Sequence, residues 1–86
     1  MEQTECTIRK MIAEIAGIAL DSPAEADLYL DLGVASVHAM QLLMELEKSF
    51  GLSIPDDAFI GATTISKLVE VIDSLNRQRP QGSVHA

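Results

Sequence analysis

Apolar residues recur at helical spacing in three stretches of the chain. Ile8, Met11, Ile12, Ile15 and Ala16 follow the i, i+3, i+4, i+7 pattern of an amphipathic helix. Thr4 is a suitable N-cap and Gly17 a suitable terminator, so the first helix is predicted over residues 5–17. Residues 36–50, SVHAMQLLMELEKSF, carry the strongest pattern. On a helical wheel Ala39, Leu42, Leu43, Leu46 and Phe50 cluster on one side, which is the core face. Val37, Met40 and Met44 form a second stripe roughly opposite, and Gly51 ends the helix. Ile65, Leu68, Val69, Ile72 and Leu75 make the buried stripe of a last helix, capped by Thr63 or Thr64 and ending near Asn76.

The connections are also legible. Asp21-Ser22-Pro23 is a turn signal inside a long connection over residues 18–35. Structureless loops of that length are uncommon and often functional. Leu28, Tyr29, Leu30 and Leu32 give it apolar anchors, so it is expected to pack on the bundle. Gly33 permits a sharp turn before the second helix. Leu52, Ile54 and Pro55 read as a short extended link. Asp56 to Ile60 suggest one or two helical turns, with acids at the start where the helix dipole favours them. The predicted fold is all-α: a small four-helix bundle, three main helices plus one short one, with a long loop between helices 1 and 2. One domain is expected over residues 1–76. The tail, RQRPQGSVHA, lacks periodicity and is expected to be flexible. No internal repeat is present.

Size limits what such a bundle can do. A chain of 86 residues forms one domain with one thin core. It has little room for a deep, water-excluding site with several placed catalytic groups, which favours a binding or carrier role over an enzyme. Aromatics are only 3% of residues, so Leu, Ile, Val, Met and Ala must build the core. The single Cys6 excludes an internal disulfide and is compatible with a reducing cytoplasm. No apolar run approaches the roughly 20 residues that cross a bilayer. The opening MEQTEC is unlike a secretory signal. A cytoplasmic monomer without membrane attachment is expected.

The net charge of −7 is concentrated in one region. Residues 21–57 hold eight acids (Asp21, Glu25, Asp27, Asp31, Glu45, Glu47, Asp56 and Asp57) and one base, Lys48. The acids and bases outside that segment cancel. Such a field repels nucleic acid and steers basic protein surfaces inward. An acidic soluble surface is common; here the charge surrounds Ser36.

Ser36 follows Gly33 and opens the second helix. It has two readings. One is an ordinary N-cap serine. The other is an exposed hydroxyl that accepts a phosphodiester, which a helix N-terminus suits because its free N–H groups and positive dipole end favour anions. No G-x-S-x-G elbow is present, and neither His38 nor His85 is placed to act as its base, so another enzyme would have to modify it. The stripe of Val37, Met40 and Met44 exceeds what a thin core needs. Part of it could pack on the short third helix or the loop. Otherwise it is a contact surface, flanked by Gln41, Glu45 and Glu47, whose methionines suit several partners. Asp27 to Gly33 only superficially suggests a calcium loop, because Tyr29 occupies an oxygen position and His38 stands where the final Glu belongs. The histidines lack metal-ligand company. No catalytic residue or metal site is predicted.

From Asp31 to Val71 the sequence DLGVASVHAMQLLMELEKSFGLSIPDDAFIGATTISKLVEV resembles the acyl carrier and peptidyl carrier protein family. The matching pieces stand in the family's order. They are D-L-G before the serine, the serine at a helix start, L-x-x-x-L-E-x-x-F-G, then I-P-D-D, then T-T-I at the last helix. The resemblance implies a 4′-phosphopantetheine arm attached to Ser36, with an acyl, aminoacyl or peptidyl thioester at its end. It implies a recognition helix following Ser36, with Val37, Met40, Gln41, Met44, Glu45 and Glu47 as docking residues. The implied partners are a phosphopantetheinyl transferase, an acyl- or aminoacyl-loading ligase, and downstream synthase or transferase enzymes.

One departure stands out. The family usually has Asp-Ser-Leu where this chain has Ala35-Ser36-Val37. The missing acid points to a specialised transferase, slower modification or a carrier that has lost its arm. It also favours specialised metabolism over housekeeping fatty acid synthesis. The alternative function is an interaction module that keeps the fold without the arm.

Overall fold

A computed structural model describes residues 2–78. It contains four helices: α1 (Glu2–Ala16), α2 (Ser36–Phe50), α3 (Asp56–Gly61) and α4 (Ile65–Gln78). No named strand occurs among the described residues; one isolated antiparallel bridge joins Asp27 to Thr64. The all-α bundle expected from periodicity is the observed fold. α1 packs on both α4 and α2, and α3 packs on α4. Among the described residues no helix is long and apolar enough to cross a membrane.

The helix boundaries follow from local chemistry. α1 begins three residues earlier than the 5–17 prediction and ends one earlier, at Ala16. Gly17 closes it with φ +74°, donating its N–H to the Ala13 carbonyl at 2.9 Å. α2 has the predicted limits, and Gly51 at φ +65° ends it in the left-handed region. Thr64 rather than Thr63 caps α4: its hydroxyl accepts the Lys67 N–H at 3.1 Å. α4 continues to Gln78, two residues beyond the expected end. Nothing in Arg77 or Gln78 opposes helix, whereas Pro80 follows soon after. The rest of the predicted tail, residues 79–86, lies outside the described residues.

The core is aliphatic. Ile8 and Ile12 of α1, Leu42 and Leu46 of α2, and Ile65, Leu68 and Ile72 of α4 are buried together. Phe59 brings α3 into the same cluster. Each fully buried aliphatic side chain stabilises the fold by about 1.5–3 kcal/mol.

The connection between α1 and α2 is a packed strap. Leu28 is fully buried and Val34 nearly so, with Tyr29 and Leu32 partly buried against the core. Leu30 departs from the expectation: it is 86% exposed. The cause is a tight turn. The Asp27 carboxylate accepts N–H groups from Tyr29 at 2.9 Å and Leu30 at 2.8 Å, and Asp31 accepts the Asp27 N–H at 2.9 Å. This local network leaves Leu30 exposed at the tip.

The strap is fastened on both sides. On the α1 side, Arg9 Nη1 donates to the carbonyls of Leu20 at 2.9 Å and Ser22 at 2.6 Å. Its Nε donates to Glu5 at 2.8 Å. On the α4 side, Leu28 N–H donates to the Thr63 carbonyl at 2.8 Å, and the Ser66 hydroxyl donates to Glu25 at 2.7 Å.

Candidate functional site

Ser36 is the first residue of α2 and is exposed. The cap position belongs to Ala35, in extended backbone at φ −79° and ψ 153°, and no side chain caps the helix. This rejects the N-cap reading of Ser36. Its hydroxyl makes no hydrogen bond to any described residue. No described histidine or carboxylate bonds it, so nothing within the described chain activates the oxygen as a nucleophile.

Three features position that hydroxyl. Val34 is buried, and its N–H donates to the Leu28 carbonyl at 2.9 Å, which anchors the chain two residues ahead. Gly33 turns the backbone at φ +76°, and the space a side chain would enter there is open. Ala35 offers only a methyl group, so the N-terminal turn of α2 has no carboxylate or hydroxyl folded over it. The N-terminal end of α2 therefore presents its positive dipole end to solvent.

The second apolar stripe is outside the core. Val37 is 62% exposed, Met40 69% and Met44 67%. The stripe is therefore largely in solvent and not buried under α3 or the strap. Gln41 and Glu45 are exposed on the same helix. Glu47 is half-buried, and its carboxylate accepts the Ile54 N–H at 2.8 Å. Its backbone carbonyl receives the N–H groups of Gly51 and Leu52. Glu47 thus fastens the turn after α2, a role that helical spacing could not disclose because Ile54 lies beyond the helix.

The acidic segment largely reaches solvent. Asp21, Glu25, Asp31, Glu45, Asp56 and Asp57 are exposed; Asp27 and Glu47 are half-buried. The Leu30 N–H beside Asp27 holds its carboxyl below the usual aspartate range, aided by the Tyr29 N–H, the Thr63 side chain and the Lys67 charge against a smaller opposing effect of desolvation. Burial raises the Tyr29 phenol above its usual value, and the Asp27 charge adds to this. The Asp27–Asp31 turn is closed by its own backbone, and no group of three or more metal-ligating side chains occurs among the described residues. Cys6 is an exposed free thiol.

Such a site fits a phosphodiester. A serine oxygen stands free at a helix N-terminus, with open space at Gly33 and no carboxylate capping the turn. Sequence reasoning missed three exposed apolar side chains, Leu20, Leu30 and Ile60. Leu30 was masked by its apolar neighbours. Ile60 follows Phe59 in a helix of six residues, too short for periodicity to separate a buried from an exposed face.

A family model described as phosphopantetheine attachment site matches residues 6–72. The match runs from within α1 through the strap, α2 and α3 to Ile72 in α4. Domains of this family are generally non-catalytic and meet phosphopantetheinyl transferases and synthase enzymes. The chain belongs to the phosphopantetheine attachment family of acyl and peptidyl carrier proteins, and is a carrier domain for covalently attached 4′-phosphopantetheine.

Proposed function

We propose that Ser36 is the attachment residue and that the outer face of α2 docks the enzymes that load and use the arm. The observation that carries this reading is the exposed, unbonded Ser36 hydroxyl at the first position of α2. Ser36 Oγ attacks the pantetheine-bearing phosphorus of coenzyme A and loses its proton to a base of the transferase; the pyrophosphate P–O bond breaks, adenosine 3′,5′-bisphosphate leaves, and the arm stays on Ser36 as a phosphodiester. When bound, the arm supplies a terminal thiol that holds cargo as a thioester. Val37, Met40 and Met44 are the apolar contacts; Gln41 and Glu45 form their polar border, with Glu47 at the edge and its carboxylate engaged with Ile54.

The cargo class is acyl, aminoacyl or peptidyl, loaded by a ligase and passed to a synthase or transferase. Ala35 and Val37 make the surroundings of the serine apolar where the resembling carriers have an acid, which supports specialised metabolism and a matched transferase. The chain works as a monomer, which its net charge of −7 favours, in the cytoplasm, which suits a free thiol. Residues 1–76 are the working domain, and α4 runs two residues beyond it, to Gln78.

The test is intact mass after incubation with coenzyme A and a broad-specificity transferase. A gain equal to the arm, abolished by Ser36→Ala, is expected. An unmodified protein across several transferases would overturn the assignment and favour an interaction module without an arm.

A further inference from the structure

A second surface adjoins the outer face of α2. Met11 and Ile15 of α1 and Met44 of α2 line an open groove with Glu14, Gln41 and Glu45. Met11 and Ile15 are partly buried against the core, so the apolar part of the α1 wall is held in place. Met44 is largely exposed. Glu14 and Glu45 are exposed, and neither forms a salt bridge with a described residue. The groove has carboxylates on both walls and no base among its lining residues.

That combination selects an occupant. Apolar contacts flanked by unpaired acids match an apolar side chain flanked by Lys or Arg. A second copy of this chain would bring −7 to −7 and oppose two acidic surfaces. Nucleic acid is repelled by the same sign. A groove between two helices accepts a third helix through apolar residues at i, i+3 and i+4.

We infer that the α1–α2 groove docks a basic amphipathic helix of a partner protein, and so gives this carrier a second docking face reached from the α1 side. The inference builds on the proposed docking role of α2 and adds Met11, Glu14 and Ile15. It does not require the arm.

The test uses the full chain without the arm, isotope-labelled for NMR. The probe is a synthetic 15-residue helix with Leu at one face and Lys and Arg elsewhere. A control peptide keeps the charges and replaces each Leu by Ser. Amide shifts centred on residues 11–15 and 41–45 are expected, with the control binding at least about tenfold more weakly. Glu14→Gln and Glu45→Gln should each weaken binding about two- to fivefold, and Met44→Ala about tenfold. Equal binding of the two peptides, shifts centred on Val37 and Met40, or shifts spread over all the acids would overturn the inference. So would movement of the same resonances with protein concentration alone, which would mark self-association. Arm transfer measured by mass is a separate readout, so failure here leaves the Ser36 assignment standing.

Discussion

The carbonyl oxygen of Leu28 accepts the backbone N–H of Val34 at 2.9 Å, while the Leu28 N–H donates to Thr63 at 2.8 Å. The approach to Ser36 is therefore tied, through one fully buried leucine, to the residues that precede α4. Leu28→Ala should destabilise the fold by about 2–5 kcal/mol. Urea unfolding followed by circular dichroism measures this; a loss below about 1 kcal/mol would mean that the strap is not part of the core.

The bare start of α2 can be improved. Ala35 occupies the cap position and contributes no side-chain bond. Ala35→Asp or Ala35→Ser should stabilise the protein by about 1 kcal/mol. A rise in melting temperature is expected from both variants, and the aspartate should gain further from the helix dipole at low salt.

Two glycines with open space around them should respond oppositely. Gly33 has φ +76°, so alanine there is strained although nothing blocks its side chain. Gly33→Ala should cost about 1–2 kcal/mol. Gly61 is the last residue of α3, has no positive φ and also faces open space. Gly61→Ala should be neutral or stabilising by about 0.4–1 kcal/mol, because it restricts the unfolded chain. Equal effects in chemical denaturation would contradict the role given to backbone conformation.

Acid should loosen the strap through Asp27. Its folded-state carboxyl titrates below the ordinary aspartate value, chiefly because of the Leu30 N–H. A carboxyl depressed in the folded state contributes stability above its unfolded pKa and loses it as pH falls through the folded value. The contribution of Asp27 is thus complete at neutral pH and declines below about pH 4. Asp27→Asn keeps an oxygen for the two N–H groups and removes the titration. The pH dependence of its urea midpoint should be flatter than that of the unaltered protein in that range. Parallel curves would show that Asp27 is not the group responsible.

The exposed stripe should matter to partners and not to folding. Val37 and Met40 are mostly in solvent, so Val37→Asp with Met40→Asp should move stability by no more than about 0.5 kcal/mol per site. The same pair should slow arm transfer or cargo loading by about tenfold, since burying each side chain against a partner contributes on the order of 1 kcal/mol or more. Unchanged rates would remove these residues from the docking face.

Periodicity made the helices legible because each buries a single apolar face. Leu42 and Leu46, Ile8 and Ile12, and Ile65, Leu68 and Ile72 lie where their spacing places them. The outward stripe on α2 was legible for the same reason: Val37, Met40 and Met44 repeat at helical spacing opposite the core. Contacts between distant residues were not. Nothing in the neighbourhood of Arg9 announces that it bonds Ser22, and nothing in that of Glu47 announces Ile54. Leu30 was misread because a turn dictated by Asp27 overrides hydropathy. For Ser36, the distinction between first helical residue and cap needed backbone angles at Ala35.

Arg9 governs the strap from outside it. One planar guanidinium joins Glu5 to two carbonyls of the strap, and a lysine has only a single nitrogen to share among them. The conformation of the segment leading to Ser36 is thus partly written in the first helix. A mutational survey limited to residues 18–35 would miss one of its main determinants, and grafting that segment onto another bundle would need this arginine to travel with it.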